Sequence, residues 1–188
     1  AAHERGAVER LELLEARAVH DAPDHLAHVH GAAQVRAHQP EQLARVAAEA
    51  ARSEVNLQTR LMHAPQSQPH DVLAADGYLF VMPENLATMA GLMKDFFDRV
   101  YYAVLDQVNG RPYAAIIAAG TDGAGAARQV QRIATGLRLR EIAPPLIVRN
   151  GAQTPEAILA PKQVAAHDLA PALELGAALA AGLASGVF

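Results

Sequence analysis

A short run of bulky apolar residues, Tyr78-Leu79-Phe80-Val81-Met82, gives way within a few positions to an amphipathic helical pattern. This junction limits the fold more than any other feature of the chain. Five apolar or aromatic residues in a row suit a strand covered on both faces, as in a parallel sheet. Pro83 is expected to end that strand. Ala90, Leu92, Met93, Phe96, Phe97, Val100 and Tyr101 then recur at spacings of three and four, which predicts a helix over residues 88–104. In an open parallel sheet, a strand-to-helix loop of this kind lies at the carboxyl edge, where ligands bind. Pro83-Glu84-Asn85 is therefore either a plain connection with Asn85 as a cap or part of a ligand site.

From residue 40 onward, strand-like and helical stretches alternate, the pattern of a parallel α/β sheet. A helix is predicted over residues 40–52, with Pro40 in its first turn and Leu43, Val46, Ala47 and Ala50 on one face. Strands are expected over 55–61, 78–82 and 113–119. Residues 142–148 read as an edge strand, because Pro144 and Pro145 cannot donate to a central ladder. A helix over 124–136 follows a Gly-rich loop, Thr154-Pro155 caps a short helix, and a last helix covers about 162–184. That loop, Gly120-Thr121-Asp122-Gly123-Ala124-Gly125, lacks the G-x-G-x-x-G spacing of a dinucleotide fingerprint. It reads as a turn with glycines at positive φ or as a second ligand loop.

Composition excludes several functions. A formal charge of -4 without clustered Lys and Arg argues against a nucleic-acid or anionic-membrane partner. With no cysteine, disulfides and Cys-zinc sites are ruled out. Residues 169–188 carry only Glu174 as a charge, but they are rich in Ala and Gly. Leu169, Leu173, Leu179 and Leu183 suit a helix stripe packed on a sheet better than a membrane span. No secretory leader pattern is visible at the start, and a cytoplasmic address is the expectation. Lys94–Asp98 and Asp95–Arg99 are spaced as exposed helix ion pairs, and no nucleophile, base and orienter set stands out.

Met82-Pro83-Glu84-Asn85, with Met89-Ala90-Gly91 and Lys94-Asp95-Phe96-Phe97-Asp98-Arg99, resembles the flavodoxin-like family that includes NAD(P)H-dependent FMN and quinone reductases. The resemblance continues through Arg111-Pro112-Tyr113 and Ala118-Ala119-Gly120-Thr121-Asp122-Gly123, and more loosely through residues 176–182. It implies a three-layer α/β sandwich with a parallel sheet in the order 2-1-3-4-5. It also implies FMN as cofactor, NAD(P)H as substrate and a quinone or similar small-molecule acceptor. Relatives commonly dimerise or tetramerise, so a homo-oligomer is an expectation of the same kind. The resemblance places Met82, Pro83, Glu84, Asn85, Leu86 and Met89 against one side of the flavin ring, and Gly120, Thr121, Asp122 and Gly123 against another. A flavoprotein needs no catalytic triad, since the cofactor carries the hydride chemistry. An electron-carrying flavodoxin fits less well, because such carriers are usually strongly acidic. The rival class is a flavodoxin-like interaction module, or a defective product, that holds no flavin tightly.

The first 38 residues differ from the rest. All eight aromatic residues lie at or beyond Tyr78, the six isoleucines at or beyond Ile116, and six of the nine histidines before residue 39. The chain divides, on this reading, into an atypical His-rich segment (1–38), expected to be the least well packed, and a flavodoxin-like domain (39–188). His20, His25, His28 and His30 match no metal-ligand spacing and read as a loosely structured tract. The missing first strand is assigned to residues 28–30 or 32–36, and is expected to be weak. The family's phosphate-binding loop would then fall on Arg36-Ala37-His38-Gln39-Pro40. Those residues include no Ser, Thr or Gly, so impaired FMN phosphate binding is expected.

Overall fold

The structure, a computed structural model, describes residues 9–15 and 27–188. In chain order its elements are β1 (Glu9–Glu15), α1 (Ala27–Arg52), β2 (Leu57–His63), α2 (Pro69–Ala74), β3 (Gly77–Asn85), β4 (Thr88–Met89) and α3 (Gly91–Val104). There follow β5 (Pro112–Ala119), α4 (Ala124–Gly136), β6 (Arg140–Glu141), β7 (Leu146–Arg149), α5 (Pro155–Leu159) and α6 (Ala166–Ala184). The sheet runs β2-β1-β3-β5-β6, with β7 also on β5 and the short β4 returning antiparallel along β3. All other pairings are parallel. With β4 set aside and β6 and β7 taken as one interrupted edge strand, this is the flavodoxin-like order 2-1-3-4-5.

The period-two alternation of each central strand divides the core in two. Tyr78, Phe80 and Met82 of β3 and Tyr113, Ala115 and Ile117 of β5 share one cluster with Met93, Phe96, Phe97 and Val100 of α3 and Val130 of α4. Leu79, Val81, Ala114, Ile116 and Ala118 face the other way. They pack with Leu43, Ala44 and Ala47 of α1 and with Leu179 and Leu183 of α6. The first layer is rich in rings: Phe80 lies 5.1 Å from Phe97 between centroids. The second is built from Leu and Ala, and there the helices approach closely. A Cβ at Gly176 of α6 would meet the Ala47 carbonyl oxygen of α1 at 2.3 Å.

Several expectations need correction. The first strand is neither 28–30 nor 32–36, which lie inside α1; it is Glu9–Glu15, whose sequence ERLELLE hides its role. Leu11, Leu13 and Leu14 are buried as a central strand demands, but so is Glu12, at 1% exposure. Arg60 of β2 brings Nη1 to 2.9 Å from Glu12 Oε1, an ion-pair contact without hydrogen-bond alignment. Burial pushes the Glu12 carboxyl up to about 7, and Arg60 offsets only part of that. The sheet thus joins residues on both sides of residue 38. The helix expected from residue 40 starts at Ala27, so the residues 36–40 taken for a phosphate loop are helical. The connection between β1 and α1, residues 16–26, includes His20 and His25 and lies outside the described residues.

Pro83 does not end β3 either. The strand runs on to Asn85, with Pro83 in register with Ala118 and its carbonyl accepting the Ala90 N–H. The helix starts at Gly91 rather than 88, because Thr88 and Met89 pair back on Asn85 and Glu84. Lys94–Asp98 and Asp95–Arg99 form as expected. Arg99 also donates to the carbonyls of Ser67 and Ala64. No described helix is long and apolar enough to cross a membrane.

Candidate functional site

At the carboxyl ends of β3, β5 and β7 lies an open cleft of about 670 Å³, counting its mouth. Its walls are Pro83–Leu86 from the β3 tip, Ala118–Gly120 from β5, Asn150 and Ala152 after β7, Ile158 and Lys162, and Gln39 of α1. The topology explains the place: α1, the helix after β1, packs on one face of the sheet, whereas α3 and α4, the helices after β3 and β5, pack on the other. At that switch the helices lie on opposite faces, which leaves a crevice at the carboxyl edge of the sheet.

The β3–β4 hairpin carries one wall. Its two-residue turn, Leu86-Ala87, has φ of 51° and 60°, the left-handed region that a tight hairpin turn uses and that Asn-Gly usually supplies. Two residues with side chains in that region cost on the order of 1–3 kcal/mol each. The surroundings hold them there. Glu84 Oε2 accepts the Gly123 N–H at 2.6 Å, and Oε1 accepts those of Gly125 and Ala126 at 3.0 and 3.2 Å. The Glu84 carboxylate thus fills the N-terminus of α4, where free N–H groups and the helix dipole favour negative charge. Gln129 of α4 accepts the Met89 N–H at 2.8 Å. Gly125 lets the turn lie on the helix, since a Cβ there would sit 1.9 Å from the Ala87 carbonyl oxygen. Leu86, held out by the turn, is 92% exposed over the cleft.

The cleft's charged groups are already engaged within the chain. Glu84 is bound to α4, and the Lys162 ammonium donates to the carbonyls of Ala157 and Ala160 around the end of α5. What faces a ligand is apolar surface (Pro83, Leu86, Ala118, Ala119, Ile158) and the side-chain amides of Gln39, Asn85 and Asn150. That set fits a flat, uncharged heteroaromatic group with carbonyl and N–H edges, and among the described residues it offers no free cation to an anion.

Of the ten residues singled out from the sequence, Pro83, Glu84, Asn85, Leu86 and Gly120 line the cleft. Met82 and Met89 are not on its wall. Both belong to the ring-rich core, because alternation along β3 aims Met82 at α3 with Tyr78 and Phe80. Thr121 and Asp122 are exposed beyond its rim, and Gly123, at φ 92°, caps α4. Asn85 caps no helix; the N-cap of α3 is Ala90. Sequence reasoning did not select Asn150 or Lys162, and it met Gln39 only within the stretch taken for a phosphate loop. They stand on separate elements, and no local motif joins them.

Residues 66–153 match the family described as NADPH-dependent FMN reductase. A flavodoxin of Aquifex aeolicus (strain VF5) is 34% identical over 83 residues, which are 44% of this chain and 45% of that protein. Among solved structures, a flavodoxin from the domain Archaea superposes with a TM-score of 0.65 at 12% identity, covering 93% of this chain and 98% of its own. Oxidised Flavodoxin 1 from Bacillus cereus gives 0.66 at 13%, covering 93% and 99%. The WrbA-like flavodoxin from Agrobacterium tumefaciens gives 0.60 at 10%, covering 96% and 99%. At these identities the structures bear on the fold alone, whereas the sequence match spans both strand tips that wall the cleft. The chain has a flavodoxin-like fold, and its residues 66–153 match the model of the NADPH-dependent FMN reductase family.

Proposed function

We propose that the cleft binds the isoalloxazine ring of a flavin and that the protein is an oxidoreductase, taking a hydride from NAD(P)H and passing it to a quinone or similar acceptor. The observation that carries this reading is the cleft between the β3 and β5 tips, with both tips inside the matched stretch. When bound, flavin supplies the two-electron carrier that no side-chain set in this chain provides. Pro83, Leu86 and Ala119 offer apolar surface to the ring, and the Asn85 amide offers polar contact at its edge. The hairpin and α4, pinned together by Glu84, keep those contacts fixed so that little ordering accompanies binding.

The phosphate of FMN gains little here. Because α1 is helical back to Ala27, the N–H groups of residues 36–39 lie within the helix, and Pro40 has none. Residues 16–26 contain no Ser, Thr or Gly in sequence. Loss of two or three charge-assisted hydrogen bonds, at about 1.5–3 kcal/mol each, removes most of the usual preference for FMN over riboflavin. This feature also favours the second reading, a flavodoxin-like module without tightly held flavin.

Titration of the protein with FMN and riboflavin, followed by flavin fluorescence and absorbance, tests the reading, together with NADH- or NADPH-driven reduction of a soluble quinone. Binding of both flavins with similar affinity is expected. A submicromolar FMN affinity far above that for riboflavin refutes the phosphate argument. No binding of either at millimolar concentration refutes the oxidoreductase in favour of the module.

A further inference from the structure

We infer that Gln39 reads an uncharged oxygen acceptor of the bound flavin, a ring carbonyl or a ribityl hydroxyl, and that Asn150 sets the direction in which it reads. This rests on the flavin reading above. The hydrogen-bond chain begins at a backbone N–H, which can only donate. Ala152 N–H donates to Asn150 Oδ1 at 2.9 Å. With its oxygen so placed, Asn150 turns Nδ2 toward α1 and donates to Gln39 Oε1 at 2.9 Å. Gln39 then has its oxygen engaged, and Nε2, a donor of two hydrogens, is what remains.

Gln39 is 6% exposed and lines the cleft, and its Nε2 has no partner among the described residues. Opening onto the cleft, that donor completes a hydrogen bond with a ligand oxygen and meets a ligand N–H donor to donor, so the site favours the first and disfavours the second. The acceptor is neutral: among the described residues that line the cleft the one cation is Lys162, and it is turned onto the carbonyls of Ala157 and Ala160. The amide is held firmly. One turn along the same face of α1, Gln42 donates to the Lys162 carbonyl at 2.9 Å and accepts the Val164 N–H at 3.0 Å. These bonds tie the helix to the segment that closes the cleft.

Two independent variants test this. Gln39→Met keeps the length of the side chain and removes the donor. Asn150→Asp still accepts from Ala152 N–H but offers Gln39 only acceptors, which turns the Gln39 amide so that its oxygen faces the cleft. Each is titrated with riboflavin and with lumiflavin, which has the ring without the ribityl chain, after far-UV circular dichroism has established that it is folded. Riboflavin affinity is expected to fall roughly three- to tenfold in each variant, and no further in the double variant, since both changes remove one donor. A parallel loss for lumiflavin assigns the ring carbonyl, and an unchanged lumiflavin affinity assigns the ribityl hydroxyl. Unaltered riboflavin affinity in a folded Gln39→Met protein overturns the inference and leaves the flavin reading standing. Losses that add in the double variant overturn the role of Asn150. Failure of the unaltered chain to bind any flavin overturns both readings.

Discussion

Glu12 is expected to make this protein more stable in mild acid than at neutral pH, because its carboxyl is held protonated by burial. Its carboxyl lies in the central strand, 1% exposed, and is pushed from 4.5 to about 7 by burial, with Asp71 adding to the rise and Arg60 opposing it. Between those two values the folded chain holds a proton on Glu12 that the unfolded chain has released, so stability falls as pH rises. The contribution is fully present below 4.5 and is lost as pH rises through about 7. At about 1.4 kcal/mol per pH unit, the whole span is worth roughly 3 kcal/mol. That is a large share of the 5–15 kcal/mol typical of a domain. Arg60, whose side chain is 41% exposed and shared with Asp71, cannot recover it. Urea unfolding followed by far-UV circular dichroism at pH 5, 6, 7 and 8 should show a declining unfolding free energy. In Glu12→Gln the decline should be largely abolished, with the variant more stable than the parent at pH 8. Parallel pH profiles for the two proteins, or a Glu12→Gln variant less stable at pH 8, would refute the reasoning.

Two further outcomes concern the hairpin. Glu84→Gln replaces one acceptor oxygen by a donor facing the N–H groups of α4, and should cost about 2–4 kcal/mol and lower Tm by roughly 5–15 °C in a thermal melt. Gly125→Ala drives a Cβ into the Ala87 carbonyl. The crowding costs about 1–3 kcal/mol against a helix-propensity gain of at most about 1, so calorimetry should find a net loss together with weaker flavin binding.

The parts of the fold legible in the sequence are those where one strong tendency acts alone. Tyr78–Met82 and residues 113–119 could be read as strands because both faces of each are apolar, and α4 because its helical period begins directly after Gly123. β1 could not be read that way. Its Glu12 contradicts the rule that a central parallel strand is continuously apolar, and only the structure reveals Arg60 waiting on the neighbouring strand. The β3–β4 turn escaped notice because Leu86-Ala87 carries none of the Asn or Gly that usually mark it; the restraints come from Glu84 and Gln129, the latter forty residues away. In the site, the Pro-Glu-Asn tip was visible as a motif. Gln39 and Asn150, 111 positions apart, meet only through the closure of the sheet.

The uneven sharing of rings between the two layers governs how unfolding can be watched. The chain has no tryptophan, so its intrinsic emission comes from four tyrosines. Tyr78, Tyr101 and Tyr113 pack in the layer of α3 and α4, and Tyr102 lies on the outer side of α3. Tyrosine fluorescence therefore reports on one half of the molecule and is silent on β1, α1 and α6. A melt of the Leu- and Ala-built half would pass unseen by that probe while far-UV dichroism and amide exchange recorded it. Disagreement between the probes would measure how strongly the central sheet binds its two sides into one cooperative unit.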